Sequence, residues 1–270
     1  MGVESHMRPY IFYFGDVGVP SFFFMVMIGA LAATFFGAYW AKREGADPVA
    51  MLDCGIIGVI AAIVGSRIFH ILVENPSYYL EHPIRVFYFW QGGFVSIGAF
   101  TLTAIGWLIY FRWKKLDSWR YVDLATMSGP IIIFFVRVGC LLVGCCYGKP
   151  TDFPIHLTFH HPASVPAAFG YLNMSLHATQ LYNMLNAIMM MVVFLISYKY
   201  RKFYGQIFAT FFIYYGISRF FIEFLRGDRD RGLWFGDALS TGQISMMISF
   251  VLGVVLWIIL SKRKAGRIAS

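Results

Sequence analysis

The sequence predicts an all-α, polytopic integral membrane protein with seven transmembrane helices, the N-terminus outside, the C-terminus cytoplasmic and a small outside head segment. Apolar residues make up 59% of the 270 positions and charged residues only 13%, against about 25% charged residues in a soluble domain. Windows of roughly 20 predominantly apolar residues, the length that crosses a bilayer, recur along the whole chain, and basic residues gather in alternate connections between them. The formal net charge of +8 is thereby accounted for by topology, and no nucleic-acid partner is implied.

The first span covers 19–41 and ends at Lys42 and Arg43. The second, 51–73, contains Arg67, and the connection after it carries Arg85. The third, 93–111, opens on Gly92, Gly93, Ser96 and Gly98 and is followed by Arg112, Lys114, Lys115 and Arg120. The fourth, 121–144, contains Arg137 and leads into an insert at 146–177, rich in Pro and His, which is the expected outside (periplasmic) head of a single domain running over 1–270. The fifth, 178–198, begins beside His177, Thr179, Gln180 and Asn183 and ends at Lys199, Arg201 and Lys202. The sixth, 205–225, contains Tyr214, Tyr215, Arg219 and Glu223; beyond it Arg226, Arg229 and Arg231 alternate with Asp228 and Asp230. The seventh, 241–261, starts after Ser240 with Thr241 and Gln243 and stops at Lys262, Arg263, Lys264 and Arg267. The denser basic clusters mark the cytoplasmic side. No cleavable signal peptide is expected, because the first apolar run is long and lacks a basic flank. The leading MGVESHM reads as an appended stretch, with Met7 as the native start.

Arg67, Arg137 and Arg219 lie inside predicted spans. An arginine there costs several kcal/mol on insertion scales, so it normally faces the protein interior and marks function. All three sit on spans running from inside to outside, about 21–24 Å above the start of each at 1.5 Å per residue. The sequence therefore predicts guanidinium groups at one level in the outer half of the bilayer, where the polar residues opening the third, fifth and seventh spans also gather. Two of them have a plainer reading as well: Arg67 can snorkel to the interface, and Arg219 with Glu223 can be an i,i+4 pair on one helix face; Arg137, with no acid nearby in sequence and Gly139 and Gly144 beside it, is harder to dismiss. Three arginines with one carboxylate nevertheless leave a net positive pocket, and bidentate guanidinium recognition favours phosphate or carboxylate.

The stretch from Arg137 to Lys149 also holds Cys140, Cys145 and Cys146. Adjacent cysteines such as Cys145 and Cys146 seldom pair, because disulfide geometry is strained at that spacing. A zinc site could draw on His156, His160 and His161, but the spacing fits no standard ligand pair. Small buried thiols are the favoured reading. No metal and no cofactor are expected.

The order Gly65-Ser-Arg67, Trp90-Gln-Gly-Gly93 with Gly98, Arg137-Val-Gly139 to Gly144 and Gly148, His177-Ala-Thr-Gln-Leu-Tyr182, Tyr215-Gly-Ile-Ser-Arg219 with Glu223, Arg226-Gly-Asp228, and Ser240-Thr-Gly-Gln243 resembles the bacterial prolipoprotein diacylglyceryl transferases. The resemblance implies a seven-helix enzyme of the bacterial cytoplasmic (inner) membrane. Such an enzyme moves a diacylglyceryl group from phosphatidylglycerol to the cysteine of a prolipoprotein and releases glycerol 1-phosphate. It implies that Arg137 and Arg219 hold the phosphate, with Arg67, Tyr215 and Glu223 in support. Gly92, Gly93, Gly98 and Gly148 would let backbone approach the lipid, while Gln180 and Gln243 line the substrate site. The chain departs from the family pattern at Ile97, where members carry histidine or tyrosine, at Phe22 for a tyrosine, at Cys140 for an asparagine and at Cys145 for an acid. With the usual base position apolar, Glu223 and His177 are the candidate proton acceptors; Arg219 beside Glu223 lowers its basicity, so His177 is the better chemical choice, its plainer reading being a helix-start residue hydrogen-bonded in the head. The alternatives are a paralogue with another acceptor, or a non-catalytic protein that binds lipid or anion on the same scaffold.

Overall fold

The computed structural model describes residues 3–5, 7–15, 17–88, 92–162, 164–227, 232–234 and 238–263. Trp90, Gln91, Asp228, Arg229, Asp230, Arg231, Lys264 and Arg267 of the sequence reading lie outside them. The protein is mostly helical, and its chain divides into two compact units, Met1–Ala33 with Val122–Ser270, and Thr34–Tyr121.

In the unit Thr34–Tyr121, Asp47 starts helix α2 (Pro48–Phe69) by accepting a hydrogen bond from the Val49 amide at 2.8 Å, with proline at the first helical position, where its missing N–H costs nothing. Helix α4 (Ser96–Trp113) packs along α2. Their contact is made backbone to backbone: a Cβ on Gly65 would collide with the Gly98 carbonyl, and one on Gly98 with the Gly65 carbonyl. Small residues at such a crossing let two apolar helices approach closely. Near the other end of α2, Tyr110 donates to Asp53 at 2.5 Å and Trp107 Nε1 to the Cys54 carbonyl at 2.8 Å. Beyond α2 the chain continues through a π-helical turn (His70–Glu74), short helix α3 (Pro76–Glu81) and a 3₁₀ turn (Pro83–Phe87). This ordered connection stands where the sequence suggested only a link.

The other unit holds most of helix α5 (Ser118–Val143), with α7 (Thr179–Lys199), α8 (Gln206–Glu223) and α9 (Thr241–Lys262). Asp123, buried on α5, accepts from the amides of Gly205 at 2.8 Å and Phe208 at 3.0 Å. A carboxylate from another helix thus satisfies the free amides at the start of α8, where the helix dipole favours negative charge. Helix α9 begins with a capping box, Ser240 and Gln243 bonding each other's backbone amides. Gly216 and Gly253 bring α8 and α9 together, since a Cβ on either would stand 2.8 Å from the Met246 carbonyl or 2.7 Å from the Ile213 amide.

The chain is not all-α. Strand β4 (His156–Phe159) pairs antiparallel with β5 (Ser175–His177) and parallel with β1 (Val3–Ser5). This small sheet, with short helix α6 (Val165–Ala168), builds the 146–177 insert around a core of Tyr147, Leu157, Phe159, Leu176 and Ala178. A hairpin, β2 (Tyr10–Phe14) with β3 (Val17–Pro20), precedes helix α1 (Ser21–Arg43), and β6 (Leu233–Trp234) pairs with β7 (Leu239–Ser240). The composition counts that announce spans cannot register strands of two to five residues.

Among the described residues, five helices are long and apolar enough to cross a membrane: Ser21–Arg43, Pro48–Glu74, Ser118–Val143, Thr179–Lys199 and Thr241–Lys262. The third and sixth predicted spans form α4 and α8, of 18 residues each, or about 27 Å at 1.5 Å per residue. Arg112 in the one, and Arg219 with Glu223 in the other, dilute their apolar content.

Candidate active site

Helices α5, α7, α8 and α9 bring a polar cluster together inside the unit that carries the head. Arg219 and Glu223 follow one another by one turn on α8 and form an ion pair, Nη2 to Oε2, at 2.8 Å. They are only 8% and 5% exposed. Ser240, the cap of α9, donates to the other carboxylate oxygen of Glu223 at 3.3 Å. Gly242 leaves room for this carboxylate, because a Cβ there would stand 3.0 Å from Oε1. Glu223 is thus clamped between two helices, and it holds one edge of the Arg219 guanidinium. The other edge is open among the described residues: Nη1 is buried with no hydrogen-bond acceptor.

Arg137, one helix over on α5, repeats the pattern without a carboxylate. Among the described residues its Nη1 reaches only the Cys140 sulfur, at 4.0 Å, and its Nε is buried with no acceptor. Arg219 lies within electrostatic reach of Arg137, Arg226 and Tyr215, and Tyr215 stacks on Phe211 with ring centroids 5.4 Å apart. Buried guanidinium N–H groups without acceptors are costly. A cluster that keeps two such edges, plus the unpartnered Gln180 Oε1 and Gln243 Nε2, is built to receive a polar ligand. An anionic oxygen is the acceptor that two guanidiniums select.

The chain after α5 folds back onto this cluster. Gly144 at φ +73° and Cys146 at φ +59° both adopt the left-handed region, which costs a non-glycine residue about 1–2 kcal/mol. The turn is held from outside: Thr179 Oγ1 donates to the Cys146 carbonyl at 2.6 Å, and Gln180 Nε2 to the Cys145 carbonyl at 2.8 Å. The three sulfurs of Cys140, Cys145 and Cys146 consequently lie within 4.8 Å of one another. Hydrogen bonds from Cys140 and Cys145, with the charges of Arg226 and Arg137, hold the Cys146 thiol well below its usual range. Gly148 then bridges Arg226, and its missing Cβ is what allows the backbone of His177 to lie against it.

His177 ends strand β5, its amide bonded to the Lys149 carbonyl at 2.9 Å and its Nδ1 3.4 Å from the Tyr182 hydroxyl. Burial and the Lys149 charge lower its pKa from the usual 6.5, so its ring is neutral and basic at pH 7.

Arg67 belongs to the unit Thr34–Tyr121, and its guanidinium is occupied. Nε donates to the Val86 carbonyl at 3.2 Å, Nη1 to Gly92 at 2.5 Å and Gly93 at 3.4 Å, and Nη2 to Arg85 at 2.8 Å and Tyr88 at 3.3 Å. It also lies over the Tyr79 ring, 5.3 Å from its centroid. Gly92 and Gly93, at φ +82° and +78°, turn their carbonyls toward it in a conformation that favours glycine. In this arrangement Arg67 gathers the carbonyls of Arg85, Val86, Tyr88, Gly92 and Gly93. Gly98 serves the α2–α4 crossing, and Ile97 on α4 is 64% exposed.

Two features escaped the sequence reading. The cysteine trio includes Cys140, which lies in the last turn of α5 and was weighed apart from the adjacent pair. Arg226 stood in the sequence reading as outside charge and within the Arg226-Gly-Asp228 motif, without a site role, whereas its charge reaches Arg219 and Cys146.

A family model described as prolipoprotein diacylglyceryl transferase matches residues 9–259. The phosphatidylglycerol–prolipoprotein diacylglyceryl transferase of Geobacter sulfurreducens is 30% identical over 97% of this chain and 98% of its own length. That of Clostridium tetani is 29% identical, covering 93% and 97%, and that of Campylobacter lari 31%, covering 86% of each.

Proposed function

The chain belongs to the prolipoprotein diacylglyceryl transferase family, and from that premise we propose that Arg137 and Arg219 clamp the phosphate of phosphatidylglycerol while its diacylglyceryl group passes to the thiol of a prolipoprotein cysteine. The observation that carries this reading is the pair of buried guanidinium edges without acceptors, Nε of Arg137 and Nη1 of Arg219. The acceptor sulfur bonds to the glyceryl carbon as the carbon–oxygen bond to phosphate breaks. The electron pair leaves with glycerol 1-phosphate, and the thiol proton passes to a base. Positioned arginines stabilise the charge that grows on the leaving phosphate, and they do so most strongly where water is excluded.

Glu223 orients Arg219 and, being held by Ser240 as well, keeps the clamp from swinging. His177, neutral at pH 7, is the base we assign to the acceptor thiol. Gln180 and Gln243 hold polar atoms of the lipid headgroup or acceptor, and Tyr215 closes the apolar side. The architecture that suits this chemistry has seven spans, the N-terminus outside and the C-terminus cytoplasmic. Here α4 and α8 act as the third and sixth spans, and 146–177 forms a periplasmic head over the outer half of the bilayer. Spans of 18 residues reach across about 27 Å, close to the ~30 Å hydrocarbon core.

The test is direct. Purified protein is incubated with phosphatidylglycerol labelled in its headgroup and with a peptide carrying a lipobox cysteine. Lipidated peptide and glycerol phosphate should appear in equal amounts. Folded protein that yields neither, or that releases headgroup without modifying the peptide, rules out the transfer reaction.

A further inference from the structure

The thiols of Cys140, Cys145 and Cys146 are not used by the transfer chemistry, yet they are the most closely grouped ligand side chains among the described residues. Their arrangement is built rather than incidental. Cys140 lies near the end of α5, and its carbonyl accepts from the Gly144 amide at 2.9 Å and the Cys145 amide at 3.0 Å, which closes the helix. The left-handed turns at Gly144 and Cys146 send the chain back over that end. Thr179 and Gln180 pin the two cysteine carbonyls on the far side, so the sulfurs turn inward. All three come within 4.8 Å of one another. Thiolates around one ion with metal–sulfur bonds of about 2.3 Å stand about 4 Å apart in a plane, so small side-chain rotations complete the geometry.

We propose that Cys140, Cys145 and Cys146 form a three-thiolate site for a soft, thiophilic metal ion such as zinc or cadmium. Soft thiolate ligands select such ions over magnesium or calcium. Binding one divalent ion displaces the protons still held by the thiols to solvent and leaves a metal–trithiolate group of charge −1. That charge suits its surroundings, because Arg137 has its Nη1 4.0 Å from the Cys140 sulfur and both Arg137 and Arg226 act on Cys146. Three sulfurs also favour a metal over a disulfide, which would join two and leave one behind. Because the ion would draw on Arg137, its occupancy sets how freely that guanidinium can bind phosphate.

The whole chain, purified in detergent, reduced and stripped with chelator, is titrated with cadmium. The readouts are the ultraviolet cadmium–thiolate charge-transfer band and the metal content after removal of excess. One cadmium per chain is expected, with a band intensity matching three thiolates. The Cys140→Ser and Cys146→Ser variants should bind at least about tenfold more weakly, since loss of even an outer-shell partner costs that much. The Cys54→Ser variant, whose cysteine lies on α2 in the other unit, should bind as the wild type does. The wild-type stoichiometry and band stand as a test even where a variant fails to fold. Binding below one ion per chain, a band of two thiolates or fewer, or equal binding by folded Cys146→Ser overturns the proposal. So does a mass deficit of two hydrogens in protein isolated without reductant, which identifies a disulfide instead.

Discussion

Replacing Arg137 by alanine should separate activity from stability. Among the described residues its guanidinium has no carboxylate, its Nε has no acceptor, and its Nη1 meets only a sulfur at 4.0 Å. Removing it takes away a poorly compensated charge, so folding should lose no more than ~1 kcal/mol, and unfolding in detergent should move by only about 2–4 °C. With substrate bound, the same edge faces the leaving phosphate. Loss of one preorganised donor to a developing oxyanion costs about 2.7–4 kcal/mol, or roughly 10²–10³-fold in turnover. Arg137→Lys keeps the charge without the fork, so it should recover only part of the rate. The assay is the peptide-lipidation rate beside thermal unfolding of the same preparations. A folded alanine variant within about threefold of wild type, or one whose activity falls only as far as its folded fraction, would refute the phosphate-clamp role.

Arg219→Ala should be worse for folding, because it strands Glu223, 5% exposed, at a cost of about 3–5 kcal/mol. Adding Glu223→Gln should restore the unfolding temperature but not the transfer rate, and restored transfer would contradict the assignment. Gly98→Ala drives a methyl into the Gly65 carbonyl and should destabilise by about 1–3 kcal/mol, read by thermal unfolding; a neutral result would mean that α2 and α4 separate easily. His177 has its pKa lowered from 6.5, so the ring carries a proton only below that pH. Transfer should therefore be flat near neutrality and fall as pH drops through the lowered pKa. His177→Gln should remove both the limb and most of the rate, and a variant that keeps both excludes His177 as the base. Arg67→Ala leaves the carbonyls of Arg85, Val86, Tyr88, Gly92 and Gly93 without their donor and should raise proteolysis within 85–93, whereas an unchanged digestion pattern would argue against its role in ordering that segment.

Much of the protein was legible in sequence because membrane residence is a compositional constraint. A span needs about 20 apolar residues, and any arginine inside it is expensive enough to point to function. The helices, the arginines and the family order of motifs could therefore be read directly, and so could the pairing of Arg219 with Glu223, which follows from helical spacing alone. Contacts between distant segments could not. Arg67, Arg137 and Arg219 look equivalent by depth, yet the carbonyls of Arg85, Val86, Tyr88, Gly92 and Gly93 occupy the first, while the other two keep edges open among the described residues. Pairing with backbone carbonyls some 20 residues away leaves no trace in spacing or composition. The β-sheet of the head and the Asp123 cap on α8 were hidden for the same reason, since each joins residues whose separation along the chain carries no period.

The sequence by itself determined that this chain is a helical membrane protein with arginines inside its spans, because hydrophobic length and the cost of intramembrane charge act residue by residue; the transferase reading came from the order of its motifs, through their resemblance to a family. The tertiary structure alone decided which donors remain unsatisfied and which sulfurs meet. Those outcomes depend on backbone turns such as Gly144 to Cys146, and on side chains such as Thr179 and Gln180 that hold the turn from another helix.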